Sequence, residues 1–161
     1  MTVQPRTAYE IVGGKTHATT AAELAPYNVL PNEAACPCCG KIYVSFAVLR
    51  RFKRVRDAVN HALTITSGYR CNASQTYIWK RAPLWERLAG LVAKPGSSPH
   101  EYGEALDVAK PSQFRTPTDW GRFIVEVNRG DIRVGCLKYK GFAHMDTLFF
   151  ARAWAGKGIL W

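Results

Sequence analysis

The chain has 161 residues, 47% of them hydrophobic, which allows one folded domain with a real core and excludes a disordered or collagen-like chain. Its 22 lysines and arginines against 12 aspartates and glutamates leave a formal net charge of +10, favouring an anionic partner such as a bacterial cell wall, a lipid surface or nucleic acid. No apolar run approaches the ~20 residues that cross a bilayer, so stable membrane insertion is not expected.

The basic residues spread from Arg50 to Lys157 rather than forming a tail. No helix-turn-helix, zinc-finger or RNA-binding aromatic pattern accompanies them, so nucleic acid is not the expected partner. The stretch from Met1 to Lys15 is polar and broken by Pro5, Gly13 and Gly14. It lacks the apolar core of an export signal, and synthesis in the cytoplasm is expected.

Residues 1–30 read as an extended arm, with one helical turn at Ala21 to Leu24 stopped by Pro26. Residues 31–161 are expected to form a single domain. A loop follows at Cys36-Pro37-Cys38-Cys39-Gly40. Five cysteines, an odd number, argue against a purely disulfide-built scaffold. Cys36 and Cys39 have the two-residue spacing of structural zinc sites, but Cys71 and Cys136 are isolated and supply no second pair. A thiolate metal site, a disulfide to Cys71 and free thiols all stay open.

A helix is expected over 45–63, where Val48, Phe52, Val55, Val59 and Ala62 recur at helical spacing. Arg50, Arg51, Lys53, Arg54 and Arg56 fill its other faces and read as a solvated basic surface. A short strand over 63–66 runs into Ser67-Gly68-Tyr69-Arg70, a turn that presents Tyr69 and Arg70 at a strand end, where functional groups tend to sit. A helix starting near Pro83 carries Leu84, Trp85, Leu88, Leu91 and Val92. Residues 94–99 form a turn-rich loop.

The run 104–109 fits a buried strand, with Ala105 and Asp107 on one face and Leu106 and Val108 on the other. His100 lies on the incoming loop. A second amphipathic helix is expected over 118–128, capped by Thr118 and striped by Trp120, Phe123, Ile124 and Val127. Two strands, 132–137 and 142–149, flank the turn Lys138-Tyr139-Lys140-Gly141. In the second, His144 and Asp146 share a face with Phe142 and Leu148.

Of the four histidines, His17 and His61 are given no role. His100 and His144 each sit near a carboxylate and a glycine at a loop–strand junction. With Asp107 they make two imidazoles and one carboxylate, a sufficient protein ligand set for a catalytic zinc with one position left for water.

Ser98, His100, Gly103, Ala105 and Asp107 match the Ser-x-His-x-x-Gly-x-Ala-x-Asp motif of the zinc D-Ala-D-Ala carboxypeptidase family, which includes phage endolysins and is related to the hedgehog signalling domain. Ser67-Gly68-Tyr69-Arg70 resembles that family's Ser-Gly-Tyr-Arg element. Phe142-Ala143-His144-Met145-Asp146 resembles the His-x-Asp strand of one murein-peptidase branch. The three ordered motifs span about residues 36 to 150.

The resemblance implies an α+β fold, with a small, mainly antiparallel sheet carrying the zinc and two or three helices packed on it. It implies that His100, Asp107 and His144 bind Zn2+. Arg70 would stabilise the oxyanion or hold a substrate carboxylate, and Ser98 would touch substrate or the ligands from outside. Tyr69 and Tyr139 are further candidates for substrate contact, Tyr139 through a hydrogen bond.

One departure stands out. Many members carry a catalytic Glu or Asp three positions before the last zinc histidine, and here that position is Gly141. Asp146 is the favoured replacement as base, with the orientation of His144 as its alternative role. Glu101 and Glu104 are weaker candidates.

The expected function is zinc-dependent hydrolysis of a peptide bond in peptidoglycan stem peptides, of D,D-carboxypeptidase or endopeptidase type. A monomer is expected, acting at the cell wall or in a virion, as in phage lysis. The rival reading is a non-catalytic murein-binding or structural virion module with a remnant of the zinc site. Specificity is expected to reside in residues 71–98 and 110–118.

Overall fold

The computed structural model describes residues 18–136, 141–147 and 159–160. It is an α+β structure built on a five-stranded sheet of order β1-β2-β4-β3-β5. The strands are β1 (Ile65–Ser67), β2 (Ala105–Ala109), β3 (Arg133–Gly135), β4 (Phe142–Asp146) and β5 (Ile159–Leu160). All neighbours pair antiparallel except β3 and β5, which are parallel. Alternation along the strands divides the sheet. Leu106, Val108, Val134, Ala143 and Met145 face a core, all of them fully buried. Ala105, Asp107, Arg133, Phe142, His144 and Asp146 take the opposite face.

Among the described residues, six α-helices precede or interrupt the strands: α1 (Ala21–Leu24), α2 (Pro31–Ala34), α3 (Phe46–Val59), α4 (Asn72–Arg81), α5 (Leu84–Leu88) and α6 (Pro117–Val127). α3 starts where the Ser45 hydroxyl accepts the Val48 N–H at 3.2 Å, and ends at Asn60 in the left-handed conformation, φ 51°. It buries Val48, Leu49, Phe52, Val55 and Val59 in the core. Its basic face is only partly solvated, because Arg56 reaches back to donate to the Leu63 carbonyl at 2.7 Å.

α6 begins two residues earlier than the expected Thr118 cap. Thr116 and Asp119 form a reciprocal box, each side chain accepting the other's backbone N–H at 3.1 Å. Pro117 then suits the first helical position, where no N–H is needed. The helix places Trp120 and Ile124 in the core. Phe114 and Phe123 pack on the indole, with ring centroids 4.8 and 5.9 Å away.

Other elements depart from the sequence reading. The helical turn expected at Ala21 to Leu24 is present as α1, but residues 18–30 fold against the domain rather than standing off as an arm. Thr20 and Glu23 form a capping box that starts α1, Leu24 and Val29 are buried, and the Thr19 N–H donates to the Ile42 carbonyl at 2.8 Å. α4 carries no apolar stripe, and its buried residues are Ser74 and Gln75. α5 starts beside Pro83 as expected, with Pro83 as its cap, but it ends at Leu88, so Leu91 and Val92 fall beyond it. Tyr139 and Leu148 lie outside the described residues. None of the five cysteines is joined in a disulfide.

Candidate metal centre

The antiparallel register of β2 and β4 sets Asp107 directly opposite His144. His100 arrives from a short 3-10 helix, Pro99–Tyr102, that ends at Gly103 in the left-handed conformation (φ 66°) before β2 begins. The three side chains meet at one point. Asp107 Oδ1 lies 2.9 Å from His144 Nδ1 and 3.2 Å from His100 Nε2, and the two nitrogens are 3.2 Å apart. All three residues are buried, at 2 to 6% exposure.

Each imidazole is held from behind through its other nitrogen. His100 Nδ1 is 2.7 Å from the Gly68 carbonyl, which accepts but cannot donate. His144 Nε2 is 3.1 Å from Asp146 Oδ2. Those outer bonds fix the tautomers, leaving both inner nitrogens to present lone pairs beside a carboxylate. Three acceptors so close repel unless a cation or a proton sits among them.

The electrostatics reflect the same crowding. Burial pushes His144 down, but the carboxylates of Asp107 and Asp146 outweigh it and raise its pKa to about 9. His100 moves the other way, because burial dominates and keeps it neutral. Burial also works against Asp107 ionising, yet the two imidazoles hold it far below the usual carboxylate range. Without a metal, then, one shared proton on His144 satisfies the cluster.

The other candidates divide sharply. Arg70 joins the centre: its Nη2 donates to Asp107 Oδ2 at 2.8 Å and its Nε to the Ser67 hydroxyl at 2.9 Å. Ser98, 2% exposed, lies on the adjoining cleft wall. Asp146 sits behind His144, fully buried, and also accepts from Arg133 Nη2 at 2.9 Å. Tyr69 does not join. Its ring packs edge-on against Tyr43, centroids 5.0 Å apart, and burial, with the neighbouring Cys39, Cys71, Tyr43 and Cys36 adding to it, lifts its pKa to about 12.

Glu101 organises the preceding loop by accepting from Gly96 N–H at 2.8 Å and Ser98 N–H at 3.2 Å. Glu104 accepts from Ser45 at 2.8 Å and from Thr147. Neither faces the cleft.

That cleft holds about 310 Å³ and is lined by Arg70, Ser98, His100, Asp107, Arg133, Phe142 and His144 on the sheet side. Gln75, Ile78 and residues 90–93 form the far wall. The 71–98 segment thus borders the site as expected, whereas none of the lining residues comes from 110–118. Sequence reasoning missed Gly68, whose contribution is a backbone carbonyl, and Arg133, which faces Asp146 across β3 and β4 in register.

A deep cleft with converging imidazole and carboxylate acceptors defines a candidate metal-dependent hydrolytic centre. The family model for D-alanyl-D-alanine carboxypeptidase, VanY, matches residues 42–125. The match spans more than half of the 161 residues, and the chain belongs to that family. It includes Arg70, His100 and Asp107, while His144 and Asp146 lie beyond it. No curated protein matches the chain.

Proposed function

We propose that the chain is a zinc-dependent peptidase that cleaves the D-Ala-D-Ala end of peptidoglycan stem peptides, with His100, Asp107 and His144 as the zinc ligands. The observation that carries this reading is the convergence of three acceptors at 2.9–3.2 Å, each imidazole backed by an outer acceptor. A tetrahedral zinc with bonds of ~2.0–2.1 Å sets its donor atoms roughly 3.3 Å apart, so the residues present fit the ion.

When bound, zinc supplies a water of lowered pKa and a Lewis acid for the scissile carbonyl. The chain's own groups do the rest. Gly68 and Asp146 keep the imidazoles aimed inward. Arg70 occupies the outer oxygen of Asp107, which leaves Oδ1 for the ligand position, and its guanidinium borders the cleft where negative charge develops. Arg133 neutralises Asp146 and adds a second cation to the wall, suited to a peptide ending in a carboxylate. Ile78, Leu91, Val92 and Phe142 give small apolar contacts of the kind a D-alanine methyl needs.

We read Asp146 as a positioning residue rather than the base, because it meets His144 through Nε2, the ring nitrogen not turned to Asp107 and His100. Incubation with a synthetic peptide ending in Lys-D-Ala-D-Ala tests the proposal. Zinc-dependent release of D-alanine, lost on chelation, is expected. Binding to murein without release would instead favour the non-catalytic module. Gly141 is the feature that speaks for that rival, since Asp107 is the sole acidic side chain among the described residues that line the cleft.

A further inference from the structure

The segment that carries Gly68 and Arg70 also forms one side of a second cluster. The Sγ atoms of Cys36, Cys39 and Cys71 all lie within 4.8 Å of one another. They converge from distant parts of the sequence. Cys36 and Cys39 share a tight turn in which the Gly40 N–H donates to the Cys36 carbonyl and the Cys36 N–H to the Lys41 carbonyl, both at 2.9 Å. Gly40, at φ 69°, supplies the left-handed residue that lets the chain double back. Cys71 caps the ten-residue α4.

The backbone around these sulfurs offers donors. Cys36 Sγ accepts the Cys71 N–H at 3.3 Å, and Cys71 Sγ accepts the Ser74 N–H at 3.5 Å. Both N–H groups aim at sulfur, the second from the first turn of a helix. Cys38, on the same turn as Cys36 and Cys39, is exposed and lies outside that three-sulfur group.

We propose that Cys36, Cys39 and Cys71 form a structural site for a thiophilic divalent cation of the zinc class, with the fourth position left to water or to the neighbouring Cys38. A tetrahedral zinc–thiolate site with bonds of ~2.3 Å spaces its sulfurs roughly 3.8 Å apart, which falls within the 4.8 Å that encloses these three. The two-residue gap between Cys36 and Cys39 is the usual one for such a turn. The site has a structural consequence. It clamps the start of α4 to the 36–40 turn, just where the Tyr69 N–H donates to the Ala34 carbonyl at 2.9 Å. Arg70, which grips Asp107, and Gly68, which holds His100, are thereby fixed from outside the cleft. The inference stands on the thiols alone and does not depend on the peptidase reading.

The test uses the full chain carrying His144→Ala, purified under reductant and loaded with Co2+ alone. One cobalt per chain is expected, with the intense near-ultraviolet sulfur-to-cobalt charge-transfer absorption that imidazole and carboxylate ligands cannot give. Cys39→Ser, at an exposed position, should lose that band while its circular dichroism stays native. The wild-type chain should show the same band, which keeps the test valid if His144→Ala folds poorly. Cys36, Cys39 and Cys71 should resist a thiol reagent until chelator is added. Absence of the band, with the thiols either freely reactive or consumed as a Cys36–Cys71 disulfide, would overturn the proposal.

Discussion

His144 has each ring nitrogen next to a different carboxylate, 2.9 Å from Asp107 and 3.1 Å from Asp146. In the metal-free chain that environment stores a proton, and in the proposed holoenzyme the ion takes the proton's place. Metal binding at this cluster should therefore release about one proton near neutral pH, read as the difference between the wild-type chain and His144→Ala. Calorimetric titration with zinc in buffers of different ionisation enthalpy measures this, and the same buffer dependence in both chains would contradict the account.

Asp146 makes a separate residue-scale prediction. Asparagine can still accept from His144 Nε2 but no longer neutralises Arg133. Asp146→Asn should keep the fold and cost roughly 10–100-fold in zinc affinity or activity, the usual penalty for an outer partner of a metal ligand. Complete inactivity at saturating zinc would make Asp146 the base after all. Its place behind His144 could not be read from the sequence, because strand alternation puts both residues on one face without saying which nitrogen the carboxylate meets.

At the scale of elements, the site depends on two alignments. One is the β2–β4 register, which pairs Asp107 with His144. The other is the close approach of β1 and its following turn to α2. A Cβ on Gly68 would lie 2.5 Å from the Ala34 carbonyl oxygen. Gly68→Ala should then destabilise the protein by about 1–3 kcal/mol, the range for overpacking, and loosen His100. Denaturant unfolding would show it, and an unchanged midpoint would mean that α2 moves freely.

Local patterns made much of this legible. The alternation in 104–109 assigned the faces of β2, and the helical spacing of Val48, Phe52, Val55 and Val59 found α3. α4 escaped because it buries Ser74 and Gln75 rather than an apolar stripe, so periodicity had nothing to detect. Tyr69 was placed in the site because it neighbours Arg70. The turn sends consecutive side chains in opposite directions, Arg70 to Asp107 and Tyr69 to Tyr43. The β2–β4 register joins positions 37 residues apart, and only the motif resemblance hinted at it.

For the molecule as a whole, stability should depend on pH through the same cluster. His144 has a folded pKa of about 9, above its ordinary 6.5. Its contribution is full below about pH 6.5 and is lost as pH rises through 9. Asp107, depressed in the fold, contributes above its ordinary value of 3.8 and loses that contribution only in strong acid. The chelated protein should melt progressively lower between pH 6.5 and 9, while the stabilisation added by zinc grows across the same window. A flat profile for the chelated chain would contradict the proton bridge.

The net charge of +10 suits approach to an anionic wall, and activity on intact murein should fall with added salt more steeply than activity on a short peptide. The most direct measurement is digestion of purified murein sacculi by the zinc-loaded chain, the chelated chain and His144→Ala, with the products identified by mass spectrometry. The account predicts D-alanine release from pentapeptide stems by the zinc-loaded chain alone. Intact stems in all three digests, with one ion bound at the His100–Asp107–His144 cluster, would contradict it.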